Sequence, residues 1–246
     1  MLLQIFEGED QQRAITMTKL SIIVPVYNEH DTVANLLERV LSLDIDKEVI
    51  VVDDGSTDGT REVLTERGRE PITVIHHPEN RGKGAAVRSG LERATGEYVI
   101  IQDADLEYNP AEIGHLMAPL ERGECDAVYG NRFPLATRGE LHGVHLLIYL
   151  ANLLLSRFLS LLFTRTVHDI ETCYKIMRTD TAKSLGLRSD RFDIEPEITA
   201  KLLKRGCKIK EIPISYHHRH YSEGKKITWR DGVSAFLTIV KYRLID

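Results

Sequence analysis

Short apolar runs alternate along the chain with longer stretches whose apolar residues recur at steps of three and four. Leu20–Val26 (LSIIVPV) is bounded and continuous, the mark of a strand buried on both faces. The next stretch sets Val33, Leu36, Leu37, Val40 and Leu41 on one helical face. The pattern repeats with a strand at 48–52, a helix around 61–67, the strand ITVIH and a helix near 85–94. The strands YVIIQ and DAVYG follow, separated by a helix that Pro110 suits as a first-turn residue. Strands alternating with helices predict an α/β fold, a mostly parallel sheet with helices on both faces. Ligands of such sheets bind beyond the carboxyl ends of the strands.

The second half is less regular. CKIKEIPISYH alternates as a strand does, with Pro213 favouring an edge or an end. TWRDGVSAFLTIVKYR sets Trp229, Val233, Phe236, Leu237 and Val240 on one helical face. The stretch 144–163, VHLLIYLANLLLSRFLSLLF, has nearly the length of a spanning helix, but His145, Tyr149, Asn152, Ser156 and Ser160 draw a polar stripe along it. Flanked by Arg138, Arg157 and Arg165, it reads either as a helix lying in a membrane surface or as a helix packed on the core. Segments 141–165 and 228–243 are the candidate membrane-surface helices.

Residues 1–19 lack the features of a secretory signal and read as an N-terminal extension, with 20–246 as one domain. A net charge of −5 argues against general nucleic-acid binding. The three cysteines are scattered without metal-ligand spacing, as reduced thiols of a cytoplasmic protein are.

Chemistry concentrates where strands end. In IIQDADLEYNP, Asp103, Asp105 and Glu107 occupy every second position, which in an extended segment puts three carboxylates on one side. Such a cluster wants a cation, and Mg2+ or Mn2+ with substrate phosphates would supply one; an acidic surface loop is the alternative. In VVDDGSTDGT, Asp53 and Asp54 leave a strand, placed to accept hydrogen bonds from a base or ribose, or else to cap a turn. ENRGKGAAVRSG is a Gly-Lys-Gly turn that could bring backbone N–H groups and Lys83 to a phosphate, or be only a tight turn into a helix. HHRHYSEGKKITW gathers Arg219, Lys225, Lys226 and Arg230 around a glycine, a basic segment able to close over phosphates unless it is a solvated loop.

In order and spacing, VPVYNE, VVDDGSTDGT, NRGKGAAVRSG, DADLEYNP and YGNRF resemble the family-2 glycosyltransferases, most closely the dolichyl- and polyprenyl-phosphate hexose synthases. DIETCYKIMR, RFDIEPEITAKL and EIPISYHHRHYSEGKKITWRDG look like the same subgroup. The resemblance implies a GT-A fold that binds a nucleoside-diphosphate sugar. Pro25, Tyr27, Glu29 and Asp53 would hold the base and ribose, with Asp54 in support. Asp103 would face the ribose and diphosphate, Asp105 would be the main metal ligand, and Glu107 stands where relatives often have Gln. Arg132 would bind the acceptor phosphate.

The implied reaction is inverting, metal-dependent transfer of a hexose from UDP-glucose or GDP-mannose to a polyprenyl phosphate, by a protein peripheral to the membrane or held there by a membrane-protein partner. A phosphate acceptor needs no strong base, whereas a hydroxyl acceptor would need one, with Asp169 or Glu171 as the candidates. A saccharide-directed transferase of the same family and a non-catalytic binding module are the rival readings.

Overall fold

The computed structural model describes residues 18–68, 70–133, 146–218 and 229–245. Its centre is a seven-stranded sheet. The first four strands are β1 (Leu20–Val26), β2 (Lys47–Asp53), β3 (Ile72–His76) and β4 (Tyr98–Ile101). They are joined through α1 (His30–Leu41), α2 (Thr60–Glu66) and α3 (Lys83–Arg93), and all pair in parallel in the order β3-β2-β1-β4. Leu20, Ile22, Ile23 and Val24 of β1 are wholly buried, as a strand covered on both faces requires. Each such side chain contributes about 1.5–3 kcal/mol by leaving water.

A short 3-10 turn (Pro110–Glu112) leads into α4 (Ile113–Glu121) and β5 (Ala127–Asn131). After α5 (Leu146–Phe163) the chain returns as β6 (Lys175–Arg178), then forms α6 (Thr179–Ser184), α7 (Ile194–Lys204), β7 (Ile209–Pro213) and α8 (Trp229–Leu244). Among the described residues β6 alone runs against the sheet, wedged between β4 and β5, while β7 pairs in parallel with β5 at the edge. The sequence pattern contains no sign of β6. It is four residues long, and its Lys175 is fully buried against Glu195 of α7, so apolar alternation never develops.

The orientation of α5 is that of a helix packed on the protein. Its polar stripe points inward. Asn152 and Ser156 are buried, and the stripe bonds the loop at 167–171: Asn152 Nδ2 donates to His168 O at 3.3 Å, Ser156 Oγ accepts from Ile170 N at 3.3 Å, and Ser160 Oγ accepts from Val167 N at 3.2 Å. Leu150, Leu154 and Leu161 face out, the last two at 68% and 77% exposed. The helix packs on α8 through stacked rings of Phe158 and Phe236, 4.3 Å apart. Val233, Phe236 and Leu237 of α8 are exposed as well, so the two helices present one apolar surface. Among the described residues no helix is long and apolar enough to cross a membrane.

Candidate active site

The carboxyl ends of β1, β2 and β4 open on a cavity of about 220 Å³, where seven carboxylates and three cations line the wall. Glu29, Asp103, Asp105 and Glu107 all reach it. The acidic residues converge as expected, but strand alternation is not the reason. β4 stops at Ile101, and the following residues turn, with Leu106 held in the left-handed region at φ 63°. A bridge between Tyr108 and Tyr216 fastens that turn, and Glu107 Oε2 accepts from the Tyr216 hydroxyl at 2.5 Å. Backbone strain of this kind persists only where the surroundings over-determine it.

Charge is unevenly compensated there. Lys83 Nζ lies 2.8 Å from Asp103 Oδ1 and 3.2 Å from Glu195 Oε1. For Asp105 the protein supplies a backbone donor, Glu107 N at 3.1 Å. Burial first, and then the charges of Asp103 and Glu107, push the Asp105 carboxyl up to about 8. A carboxylate cluster short of positive charge is a hard-oxygen donor set that fits Mg2+ or Mn2+. Among the described residues no three Asp, Glu, His or Cys side chains form a complete cation site, so a divalent ion would draw its remaining oxygens from substrate or water.

Asp53 and Asp54 part company. Asp54 lines the cavity, and its carboxylate accepts from Arg81 N at 3.0 Å, Gly82 N at 2.7 Å and His77 Nδ1 at 2.6 Å. The backbone donors expected at a phosphate are therefore engaged by Asp54 in this structure. Asp53, expected at the base, sits behind the wall. It is completely buried and bonded to Arg61 Nε and His76 Nδ1, each at 2.9 Å, and to Ser56 N. Pro25, Tyr27 and Glu29 are on the wall. The Gly-Lys-Gly turn has a packing reason: a Cβ on Gly82 or Gly84 would run into the backbone of Asp190 or Ser189, and Gly82 has φ +96°.

Arg132 lines the far part of the cavity, and Asp169 grips it. Nε donates to Oδ2 at 2.9 Å, Nη2 to Oδ1 at 2.8 Å, and the Arg132 backbone N–H to Oδ2 at 3.0 Å. Asp169 has both oxygens engaged by Arg132, zero exposure and no place on the wall, a geometry that suits holding Arg132 better than the expected role of a base. Its own backbone N–H donates to Glu211 Oε1 at 3.0 Å. Glu171, the other candidate base, does reach the cavity.

Arg219, Lys225, Lys226 and His220 lie outside the described residues. His217 is exposed, and its backbone N–H donates to Glu107 O. Sequence reasoning passed over Arg191, Phe192, Glu195 and Tyr216, all on the wall. For Glu195 a signal existed: a carboxylate on the same apolar helix that buries Ile194 and Ile198 must meet a cation, here Lys175.

The profile of the family described as Glycosyl transferase family 2 matches residues 21–186. The chain is 28% identical over 228 residues to Glycosyltransferase AglJ of Haloferax volcanii, covering 92% of this chain and 72% of that protein. It is 29% identical over 219 residues to the dodecaprenyl-phosphate galacturonate synthase of Rhizobium johnstonii, covering 84% of this chain and 61% of that one, less than two thirds of its length. Its fold is like that of the glucosyl-3-phosphoglycerate synthase of Mycobacterium tuberculosis in complex with UDP, with a TM-score of 0.71 over 93% of this chain and 81% of the other at 18% identity. The same enzyme has been solved with Mn2+, UDP-glucose and phosphoglyceric acid.

Proposed function

The chain belongs to glycosyl transferase family 2, and from that premise we propose that it transfers a hexose, with inversion, from UDP-glucose or GDP-mannose to the phosphate of a polyprenyl or dolichyl lipid. Transfer of a sugar from a nucleotide sugar follows from the family; the hexose and the lipid acceptor are the proposal. One observation carries the acceptor. The outward leucines of α5 form an apolar surface, while its inward stripe holds the loop from which Asp169 grips Arg132. A lipid-facing element and the cationic end of the cavity are thus built on the same helix. The name of the dodecaprenyl-phosphate relative supports the same acceptor class.

Pro25, Tyr27 and Glu29 hold the nucleoside in this reading. Asp54 shapes the turn behind it, and Asp53 acts from within by holding Arg61 and His76. Asp105 and Asp103 hold a divalent cation, with Glu107 a further oxygen once Tyr216 yields it. When bound, that cation neutralises the diphosphate leaving group. Lys83 turns from Asp103 to the diphosphate, and Arg219, Lys225 and Lys226 keep the phosphate-binding role expected from the sequence.

Arg132 receives the acceptor phosphate, and Asp169 fixes its fork. A phosphate monoester has its second pKa at about 6, so near neutral pH its oxygen attacks without a base. The new bond joins that oxygen to the anomeric carbon as the carbon–oxygen bond to the diphosphate breaks. In-line displacement inverts the carbon, and holding the partners in line supplies most of the acceleration. The apolar face of α5 and α8, flanked by Arg157, Lys241 and Arg243, rests on the cytoplasmic surface of a membrane or on a membrane-protein partner.

The test is incubation with Mg2+ or Mn2+, polyprenyl phosphate in detergent and radiolabelled UDP- and GDP-sugars, counting label in the organic phase with Asp105→Ala as control. Metal-dependent label from one donor is the expected result; label confined to water-soluble product would sink the lipid acceptor. Transfer to a saccharide hydroxyl is the second reading. Glu171 favours it, since its carboxyl is raised to about 7 by burial, suiting a proton acceptor.

A further inference from the structure

Glu171 has no assigned partner in the phosphate-transfer scheme, yet it lines the cavity together with Arg132, Phe192 and Glu195. Its backbone is fixed, with N donating to Asn152 Oδ1 at 3.4 Å. Its side-chain Oε1 is buried and has no hydrogen-bond partner. A buried acceptor left without a donor has lost its water and gained nothing in return, so it calls for an explanation outside the free protein. Three nearby cations are engaged elsewhere. Arg132 donates to Asp169, Lys83 to Asp103, and Lys175 to Glu195 and to the carbonyls of Ile170 and Thr172.

We infer that Glu171 is a specificity-determining residue for the transferred sugar, accepting a hydrogen bond from the C6 hydroxyl of a neutral hexose and excluding the hexuronic acid that carries a carboxylate there. The inference rests on the nucleotide-sugar reading above and deepens it by naming the residue that selects the sugar. The C6 hydroxyl of a hexose brings the donor that Oε1 lacks, whereas the ionised carboxylate that a uronic acid carries at C6 is acceptor-only and leaves Oε1 as it was. It also adds a like charge to a wall where carboxylates already outnumber cations seven to three. Burial raises the Glu171 carboxyl to about 7; the charge of Lys175 opposes that rise and the charge of Glu195 adds to it. Sites that hydrogen-bond a substrate hydroxyl reject analogues lacking it far more strongly than apolar pockets reject a missing methylene.

The experiment uses the full chain with Mn2+ and whichever nucleoside diphosphate binds. It compares kcat/KM for the neutral donor and its uronic counterpart, UDP-glucose against UDP-glucuronate or GDP-mannose against GDP-mannuronate, in the native protein, Glu171→Gln and Glu171→Ala. The native protein should prefer the neutral donor by about a hundredfold or more. Either variant should narrow that preference by about tenfold or more, mainly through KM for the neutral donor. Affinity for the bare nucleoside diphosphate and the melting temperature report whether each variant is folded. An unchanged preference in folded variants would overturn the inference. So would a collapse of kcat at unchanged KM and preference, which would make Glu171 a general base. A native protein that binds neither UDP nor GDP with Mn2+ would instead bring down the nucleotide-sugar reading, and this inference with it.

Discussion

Lys83 and Asp103 are ion-paired at 2.8 Å, so the cation that opens α3 already sits on one of the carboxylates expected to face metal and diphosphate. Both side chains are mostly buried, at 13% and 21% exposed, and the pair is correspondingly little screened by solvent. In the proposed reaction, ligand binding would exchange partners, with Lys83 leaving Asp103 for phosphate as the cation arrives.

Lys83→Met separates the two halves of that exchange. Without the ammonium, Asp103 and Asp105 should take Mn2+ about tenfold more tightly in the absence of nucleotide, while affinity for the nucleoside diphosphate falls about tenfold or more. Titration calorimetry in both orders reads the two constants. If they move in the same direction, Lys83 is holding structure and not exchanging partners.

Asp169→Asn tests the grip on Arg132. The variant keeps the shape but removes the charge from a fully buried partner of a cation that is itself only 7% exposed. Breaking such a pair costs about 3–5 kcal/mol, so the unfolding midpoint in urea should drop measurably. In the phosphate-transfer scheme Arg132 keeps its charge but loses its orientation. KM for polyprenyl phosphate should then rise about tenfold while residual turnover persists. Complete loss of turnover in folded protein would speak against the base-free scheme.

What the sequence made legible divides along physical lines. The strands β1 and β2 were visible because a strand covered on both faces must be continuously apolar, whereas β3, partly exposed at the sheet edge, showed only as the short run ITVIH. The convergence of Asp103, Asp105 and Glu107 was foreseen for a reason that does not hold, since the chain leaves the strand at Ile101 and a left-handed Leu106 does the gathering. Asp53 and Asp54 look alike in the sequence, and only the positions of Arg61 and His77 separate one enclosed behind the wall from one on it. The stripe on α5 was read correctly as polar, but which side would face the protein depended on the unsatisfied backbone of 167–171, which no helical periodicity records.

The raised Asp105 carboxyl predicts how stability follows pH. Its ordinary value is 3.8 and its folded value about 8, so across that window the folded protein keeps a proton that the unfolded chain has released. The stabilisation is complete below about pH 4 and is lost as pH rises through about 8. Metal-free protein should accordingly melt lower at pH 8.5 than at pH 6, and Asp105→Asn should flatten this trend, gaining about 2–4 °C at pH 8.5 for each kcal/mol recovered. Mn2+ should raise the midpoint of the native protein at pH 8.5 and not that of the variant. Scanning calorimetry at the two pH values checks both statements, and an equal effect of Mn2+ on the variant would place the cation elsewhere.

The paired helices make the last prediction. Leu154, Leu161 and Leu237 are 68%, 77% and 60% exposed, so replacing each with Glu leaves the packed interior untouched, and a surface change of this kind alters stability by about 0.5 kcal/mol or less. If the face docks on lipid, the triple variant should stay with the supernatant when the native protein sediments with anionic vesicles. Its turnover of a long polyprenyl phosphate presented in those vesicles should fall about tenfold or more, because each buried methylene contributes about 0.8 kcal/mol to docking. Asn152→Ala should behave in the opposite way. It changes only the inward stripe, so vesicle binding persists while turnover falls, through the loosened loop that carries Asp169. Equal sedimentation of native and triple-variant protein would show that this face meets a protein partner and not the bilayer.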